Sequence, residues 1–161
     1  MRVRAVREAE HQEVAELMVT TYAQVLGEYL DDEYRAELSD VARRAREAVV
    51  LVAVDAQDTL LGSITYVPGP GYYAEFDGAD EAGIRMLVVD PAAQGRGVGE
   101  ALVRACVDQA MADGRRRLTL HTTPSMAAAR RLYERLGFQR APERDQTLPD
   151  GLVLLGYALD L

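Results

Sequence analysis

The segment Leu87-Val88-Val89-Asp90-Pro91-Ala92-Ala93-Gln94-Gly95-Arg96-Gly97-Val98-Gly99-Glu100 is where residue type and spacing point to chemistry. An apolar run stops at Asp90-Pro91, glycines follow at 95, 97 and 99, and an apolar-periodic stretch begins at Val98. A strand, a glycine-rich turn and a helix start in succession favour an anion. The first amides of a helix have no intrahelical acceptor, its dipole attracts negative charge, and glycines let the backbone come close to a ligand. Arg96 adds a guanidinium that can reach phosphate oxygens. Two familiar phosphate motifs do not fit. A P-loop needs Gly-Lys-Ser/Thr, and the chain contains no lysine. A dinucleotide fingerprint needs G-x-G-x-x-G in an early βαβ unit, which this glycine spacing does not supply. On the residues alone, the segment is either a phosphate cradle or a tight strand-to-helix turn.

The other reactive residue types are sparse. Cys106 is the only cysteine, so no internal disulfide and no cysteine-based zinc site can form. It falls on the inner stripe of a helix and reads as core. The two histidines, His11 and His121, are too few for a metal cluster, and no metal is expected. His11 reads as exposed on a helix. His121 ends a strand and reads as facing solvent or a neighbour rather than a substrate. The Arg115-Arg116-Arg117 run reads as a solvated turn.

The elements that must position the glycine turn follow from hydrophobic periodicity. Val3–Val6 alternates with arginines and fits a short strand. Glu8 to about Tyr22 fits a helix, with Val14, Leu17 and Met18 on one stripe and acids in its first half. A second helix is expected from Asp31 or Asp32 through about Glu47. Val49–Val54 and Leu60–Val67 flank the turn Asp55–Thr59 as a hairpin. Ile84–Val89 is a strand, and a helix runs from the glycine turn to Asp113, where Gly114 ends it. Then come a strand Arg117–His121, a helix opening at Pro124-Ser125 with Ser125 as its cap, a short strand 138–140 and a long strand Leu152–Leu159. The order is β-α-α-β-β-β-α-β-α-β-β, a mixed α/β architecture, expected as a single domain over 1–161.

Composition narrows the function classes. With 161 residues, 48% hydrophobic and 27% charged, the chain can fill one core and remain soluble. A net charge of −8 argues against a nucleic-acid partner. No run approaches the ~20 apolar residues of a membrane span, and the N-terminus lacks a signal-peptide core, so no membrane partner and a cytoplasmic location are expected. The charge is uneven: residues 1–93 carry 8 arginines against 18 acids, whereas residues 94–161 carry 10 against 8.

Gln94-Gly95-Arg96-Gly97-Val98-Gly99 fits the pattern Gln/Arg-x-x-Gly-x-Gly/Ala, and Leu132-Tyr133-Glu134-Arg135-Leu136-Gly137-Phe138 follows some thirty residues later. In this order and separation the two segments resemble the GNAT superfamily of acyl-CoA-dependent N-acyltransferases. The resemblance implies a GNAT-like fold: a mixed, mostly antiparallel sheet with a splayed central strand pair and about four helices. It implies that Gln94, Gly95, Arg96, Gly97, Val98 and Gly99 cradle the pyrophosphate of acetyl-CoA, the cosubstrate. It implies that Leu87, Val88 and Val89 offer free backbone groups to the pantetheine arm, and that Tyr133 is the general acid for the departing thiolate. Two positions depart from the family pattern. Met126 stands where an asparagine is frequent, with Thr123 or Ser125 as replacements. Gly83 stands where a catalytic glutamate is frequent, which makes Glu81 the candidate base and Glu75 and Asp77 looser ones.

In this fold the acceptor enters between two loops, here Tyr22–Tyr34 and Pro68–Glu81. Both combine acids with aromatics, which suits a cationic amine of a small molecule or peptide. The expected function is acetyl transfer from acetyl-CoA to an amine in a direct ternary complex. The alternative is a non-catalytic acyl-CoA-binding regulatory module. Because the final strand can pair between subunits, monomer and homodimer both remain open.

Overall fold

The computed structural model describes all 161 residues. One sheet of eight strands runs through the chain. Strand β1 (Arg2–Ala5) is followed by helices α1 (His11–Leu26), α2 (Asp32–Ser39) and α3 (Val41–Glu47). The hairpin β2 (Val49–Val54) and β3 (Leu60–Val67) leads to β4 (Glu81–Val89), then α4 (Val98–Ala112), β5 (Arg117–Thr122) and α5 (Ala127–Arg135). The chain closes with β6 (Gln139–Arg140), β7 (Gln146–Thr147) and β8 (Val153–Asp160). The spatial order is β1-β2-β3-β4-β5-β8-β6, with β7 also on β8. Every pairing is antiparallel except β4 with β5.

Alternation in the strands builds two cores. Val50, Val52, Val54, Met86 and Val88 face α1 to α3, where Val14, Met18, Leu38 and Val41 are buried. Ile64, Tyr66, Ala82, Ile84, Leu118 and Leu120 face α4 and α5, against Leu102, Cys106, Leu132 and Tyr133. Cys106 is core, and burial pushes its thiol well above the ordinary range.

The helix expected from Asp31 or Asp32 through Glu47 is two helices, which makes five α-helices rather than about four. Asp40 breaks it: its side chain accepts the Arg43 N–H and caps α3. Arg44, fully buried, then turns back and donates to the Glu37 and Leu38 carbonyls at 2.7 and 3.0 Å. A guanidinium thus satisfies the carbonyls that the end of α2 leaves without intrahelical donors. The last helix opens at Ala127, later than Pro124, and Ser125 does not cap it. Its hydroxyl lies 2.9 Å from that of Thr123 instead.

The feature that shapes the site is in β4. It pairs with β5 only at Glu81, Ala82 and Gly83. On its other side the register with β3 slips by one residue between Ser63 and Thr65, a β-bulge in which Met86 takes φ +57°. Beyond Gly83 the two central strands part, as the resemblance implies. Asp90 N–H donates to Leu61 O, so strand alternation turns the Val89 peptide away from β3 and toward the opening.

Gly62 lets α4 lie close over this region. A Cβ there would sit 2.7 Å from Val88 O, 3.1 Å from Val98 Cγ1 and 3.2 Å from Leu102 Cδ1. Gly62→Ala is therefore expected to destabilise the fold by about 1–3 kcal/mol, read as a lower urea midpoint with an unchanged m-value.

Candidate functional site

The glycine turn is exposed from Gln94 to Gly97, while Val98 is buried and anchors it. Gly95 and Gly97 have φ of +76° and +78°, values that a side chain would strain. These two kinks leave the amides of Gly95, Arg96, Gly97, Val98, Gly99 and Glu100 without any acceptor in the chain. Six successive donors at a helix N-terminus form a cradle matched to an anion. Gly99 packs this turn onto α5, since a Cβ there would meet Leu132 at 3.2 Å. Residues 94–99 and the open edge of β4 at 87–89 are therefore held together on one side of the gap.

Tyr133 follows Leu132 on α5. Its ring packs on Phe138 and Tyr157 at centroid distances of 5.8 and 6.4 Å. Burial raises its phenol well above the usual range, and no hydrogen bond opposes that shift. The group stays protonated at any physiological pH.

On the opposite face of the sheet lies a cavity of about 400 Å³. Tyr22 and Leu26 of α1, Tyr29, and Asp31, Glu33, Tyr34 and Glu37 around α2 form one wall. The expected first loop is thus in place. The expected second loop contributes only Glu75. Tyr73 and Phe76 instead fill a small core with Ala48 and Val67, and Tyr72 stacks on the Arg43 guanidinium at 3.7 Å. Their aromatic surface is used for folding, so the expectation of an aromatic second lip is corrected.

Sequence reasoning missed the rest of the lining. Arg85 projects from β4 into the cavity, and Gln146, Leu148, Asp150, Leu152 and Leu154 come from the β7–β8 turn. Arg85 is held by Glu75 at 3.1 Å and Glu37 at 3.5 Å. Even so, the five carboxylates Asp31, Glu33, Glu37, Glu75 and Asp150 outnumber it. His121, read as facing solvent or a neighbour, lines the cavity with its side chain only 4% exposed. Its Nε2 lies 2.8 Å from Arg144 O, and its Nδ1 lies 3.3 Å from Glu75 Oε2.

Glu81 lies outside this cavity. Arg144 holds both its oxygens and Arg117 lies 3.7 Å away. Met126 lines the cavity with its sulfur 3.6 Å from Thr122 Oγ1. No cluster of three or more His, Cys, Asp or Glu residues is placed to hold a metal, and no helix is long and apolar enough to cross a membrane.

The fold splits between its two central strands and sets a free-amide cradle for an anion at the split, the arrangement that the resemblance to acyl-CoA-dependent transferases implies. Residues 11–138 match the Acetyltransferase (GNAT) family, and the chain belongs to that family. It is 40% identical over 70 residues to the [ribosomal protein bS18]-alanine N-acetyltransferase of Escherichia coli (strain K12), covering 44% of this chain and 47% of that protein. The chain spans only 18% to 51% of the length of the curated relatives it matches. Among solved structures it is similar to a GCN5-related N-acetyltransferase from Kribbella flavida, with a TM-score of 0.74 and 28% identity over 99% of this chain and 97% of that one. It also shares the fold of yncA from Salmonella typhimurium, solved with its cofactor acetyl-CoA (TM-score 0.69, 24% identity, 100% and 94% coverage).

The segment behind His121 is clamped by Asp145, which accepts from Arg140 through both oxygens at 2.8 Å and from the Gly156 N–H. Arg140, then that amide, hold its carboxyl down at about 2. A depressed carboxyl contributes stability above its unfolded value of about 3.9 and loses it as pH falls through the folded value. Asp145→Asn is expected to lower the urea midpoint at neutral pH, with the gap to wild type closing between about pH 4 and pH 2.

Proposed function

We propose that residues 1–161 act as one acetyl-CoA-dependent N-acetyltransferase domain that transfers acetyl directly to an amine of a small molecule or peptide. The observation that carries this reading is the six-amide cradle beside a free strand edge, with a carboxylate-lined cavity on the other face of the sheet. The residues fit the cosubstrate chemically. Gln94 to Gly99 offer donors to a pyrophosphate, and Arg96 is exposed beside them. Of the expected Leu87, Val88 and Val89, the Val88 peptide faces β3, and the backbone of Leu87 and Val89 offers the pantetheine arm an unpaired edge. The Val89 N–H can oppose charge that develops on a thioester oxygen.

Bound in that cradle, acetyl-CoA supplies an activated acetyl group, and the chain's own residues supply position and protons. Tyr133, kept protonated by burial, gives its proton to the departing thiolate and regains one afterwards. The acceptor cavity favours a cationic amine because five carboxylates outnumber the one guanidinium in its lining and Tyr22, Tyr29 and Tyr34 stand among them. The similar Escherichia coli protein is named for an alanine acceptor on a ribosomal protein, which agrees with an amine as acceptor.

The direct test is release of CoA thiol from acetyl-CoA across a panel of cationic, neutral and anionic acceptors. Turnover confined to amines supports the reading; none with any amine sinks it. Tyr133→Phe is expected to lower kcat about 100-fold with little change in KM for acetyl-CoA. Gly97→Val, which forces a side chain into φ +78°, is expected to raise that KM about tenfold through roughly 1–2 kcal/mol of strain.

A further inference from the structure

Glu75, His121 and Gln146 each line two cavities at once. One is the acceptor cavity. The other lies on the far side, is open to solvent, and holds Glu81, Glu143, Arg144 and Asp145. The imidazole therefore stands in the wall between a substrate site and a polar exit. A carbonyl oxygen only accepts, so the 2.8 Å contact to Arg144 O fixes Nε2 as the protonated nitrogen. In the neutral ring the lone pair is then on Nδ1. That atom is buried and has no directed hydrogen bond, since Glu75 Oε2 at 3.3 Å lies off the line of one. A buried ring nitrogen without a partner, beside a carboxylate, is a place prepared for a proton.

We propose that His121 is the proton acceptor of the transfer reaction, with Glu75 holding the imidazolium that results. This rests on the acetyltransferase reading above. The acceptor enters as an ammonium, one N–H bond breaks, and its proton passes along the Glu75 carboxylate, which reaches the cavity, to the buried Nδ1. The freed electron pair forms the C–N bond, and the C–S bond breaks. A second proton is lost from nitrogen, one is gained by sulfur through Tyr133, and the His121 proton leaves to water on the far side. One proton is released per acetyl group moved. Glu81 then has a positioning part in place of the expected base: it fixes Arg144, whose carbonyl orients the ring.

The groups around the ring set its titration. Glu75 and Asp77 face it from the loop before β4, Arg85 and Glu81 from β4, and Glu143, Arg144 and Asp145 from the segment after β6. Across the acceptor cavity stand Tyr22 on α1, then Asp31, Glu33, Tyr34 and Glu37 around α2, with Asp150 before β8. Carboxylates outnumber cations, and Glu75 is the largest cause of a His121 pKa above the ordinary imidazole value. The base form is therefore present only above that raised value, and activity rises with pH through it.

The test is imidazole nitrogen NMR joined to pH-dependent kinetics. His11 and His121 are the only imidazoles, so His121→Gln assigns both signals. We expect the Nε2–H tautomer at His121, a midpoint above about 6.5, and a lower midpoint in Glu75→Gln. With an amine that the wild type acetylates, His121→Gln should lose about 100-fold in kcat/KM and the acidic limb of its pH profile. Glu75→Gln should lower kcat/KM and move that limb to lower pH, with KM for acetyl-CoA unchanged. His121→Gln within about threefold of wild type with the limb in place overturns the base alone. So does an Nδ1–H tautomer. A wild type that releases no CoA with any amine overturns the transferase reading, and the base with it. Should His121→Gln not fold, Glu75→Gln decides, and an unmoved limb counts against the proposal.

Discussion

The rest of the site depends on the parting of β4 from β5. Both strands are central and buried, so a continuous ladder would satisfy their backbone at no loss. The ladder stops at Gly83, and the bulge at Met86 re-aims the C-terminal half of β4. A methionine at φ +57° is costly by roughly 1–2 kcal/mol, because Cβ crowds the next carbonyl. The partly buried amides that the opening leaves unpaired along β4 add to that cost. Such a concentration of strain and free donors in the middle of a sheet makes sense when another molecule completes the hydrogen bonding. The glycine turn, the Leu132 contact from α5 and the close approach of α4 over Gly62 all gather around this one interruption.

A second constraint runs across the opposite face as a chain of charges. Glu37 and Glu75 hold Arg85, and Glu75 also faces His121. His121 meets the carbonyl of Arg144, whose guanidinium holds Glu81, and Arg117 lies between Glu81 and Asp160. The network links α2, the loop before β4, β4, β5 and β8. Isolated surface pairs are worth little, but all of these except the exposed Arg117–Asp160 pair are partly buried and share partners, so they fix relative positions. Arg85 illustrates the point: it enters a cavity lined by five carboxylates yet leaves that cavity's charge negative, because Glu37 and Glu75 already hold it.

What was legible in the sequence was local. The cradle could be read because glycine spacing, a preceding Asp-Pro and a following periodic stretch all lie within fourteen residues. The hairpin, the α4 periodicity and the Cys106 core position were readable for the same reason. The acceptor side was not, because tertiary pairing assigns it. Nothing local distinguishes Tyr73 and Phe76, which are core, from Tyr29, which lines the cavity. Arg85 looks like one polar residue in an apolar strand, and its role emerges only with Glu37 and Glu75 nearby. The contribution of Gln146 to Leu154 was hidden because β7 is two residues long and gains meaning only against β8. The split at Asp40 had a signal, since Ser39-Asp40 is a capping pair inside a helical pattern, and Arg44 explains why the break is stable.

The two polarities on either side of the sheet impose a chemical requirement. A cavity whose carboxylates outnumber its cations attracts an ammonium by stabilising its charged form. That same stabilisation raises the pKa of the amine, so the attraction that fills the site also withholds the lone pair that must attack. A site of this kind cannot leave deprotonation to chance encounter with solvent. It needs an acceptor within the wall whose own protonated form the same field favours, and a way out for the proton that avoids the incoming amine. A ring nitrogen facing Glu75, with a second polar cavity behind it, satisfies both conditions. In the proposed reaction, binding and deprotonation are thus two consequences of one charge distribution, and a cationic acceptor and a base in the wall imply each other.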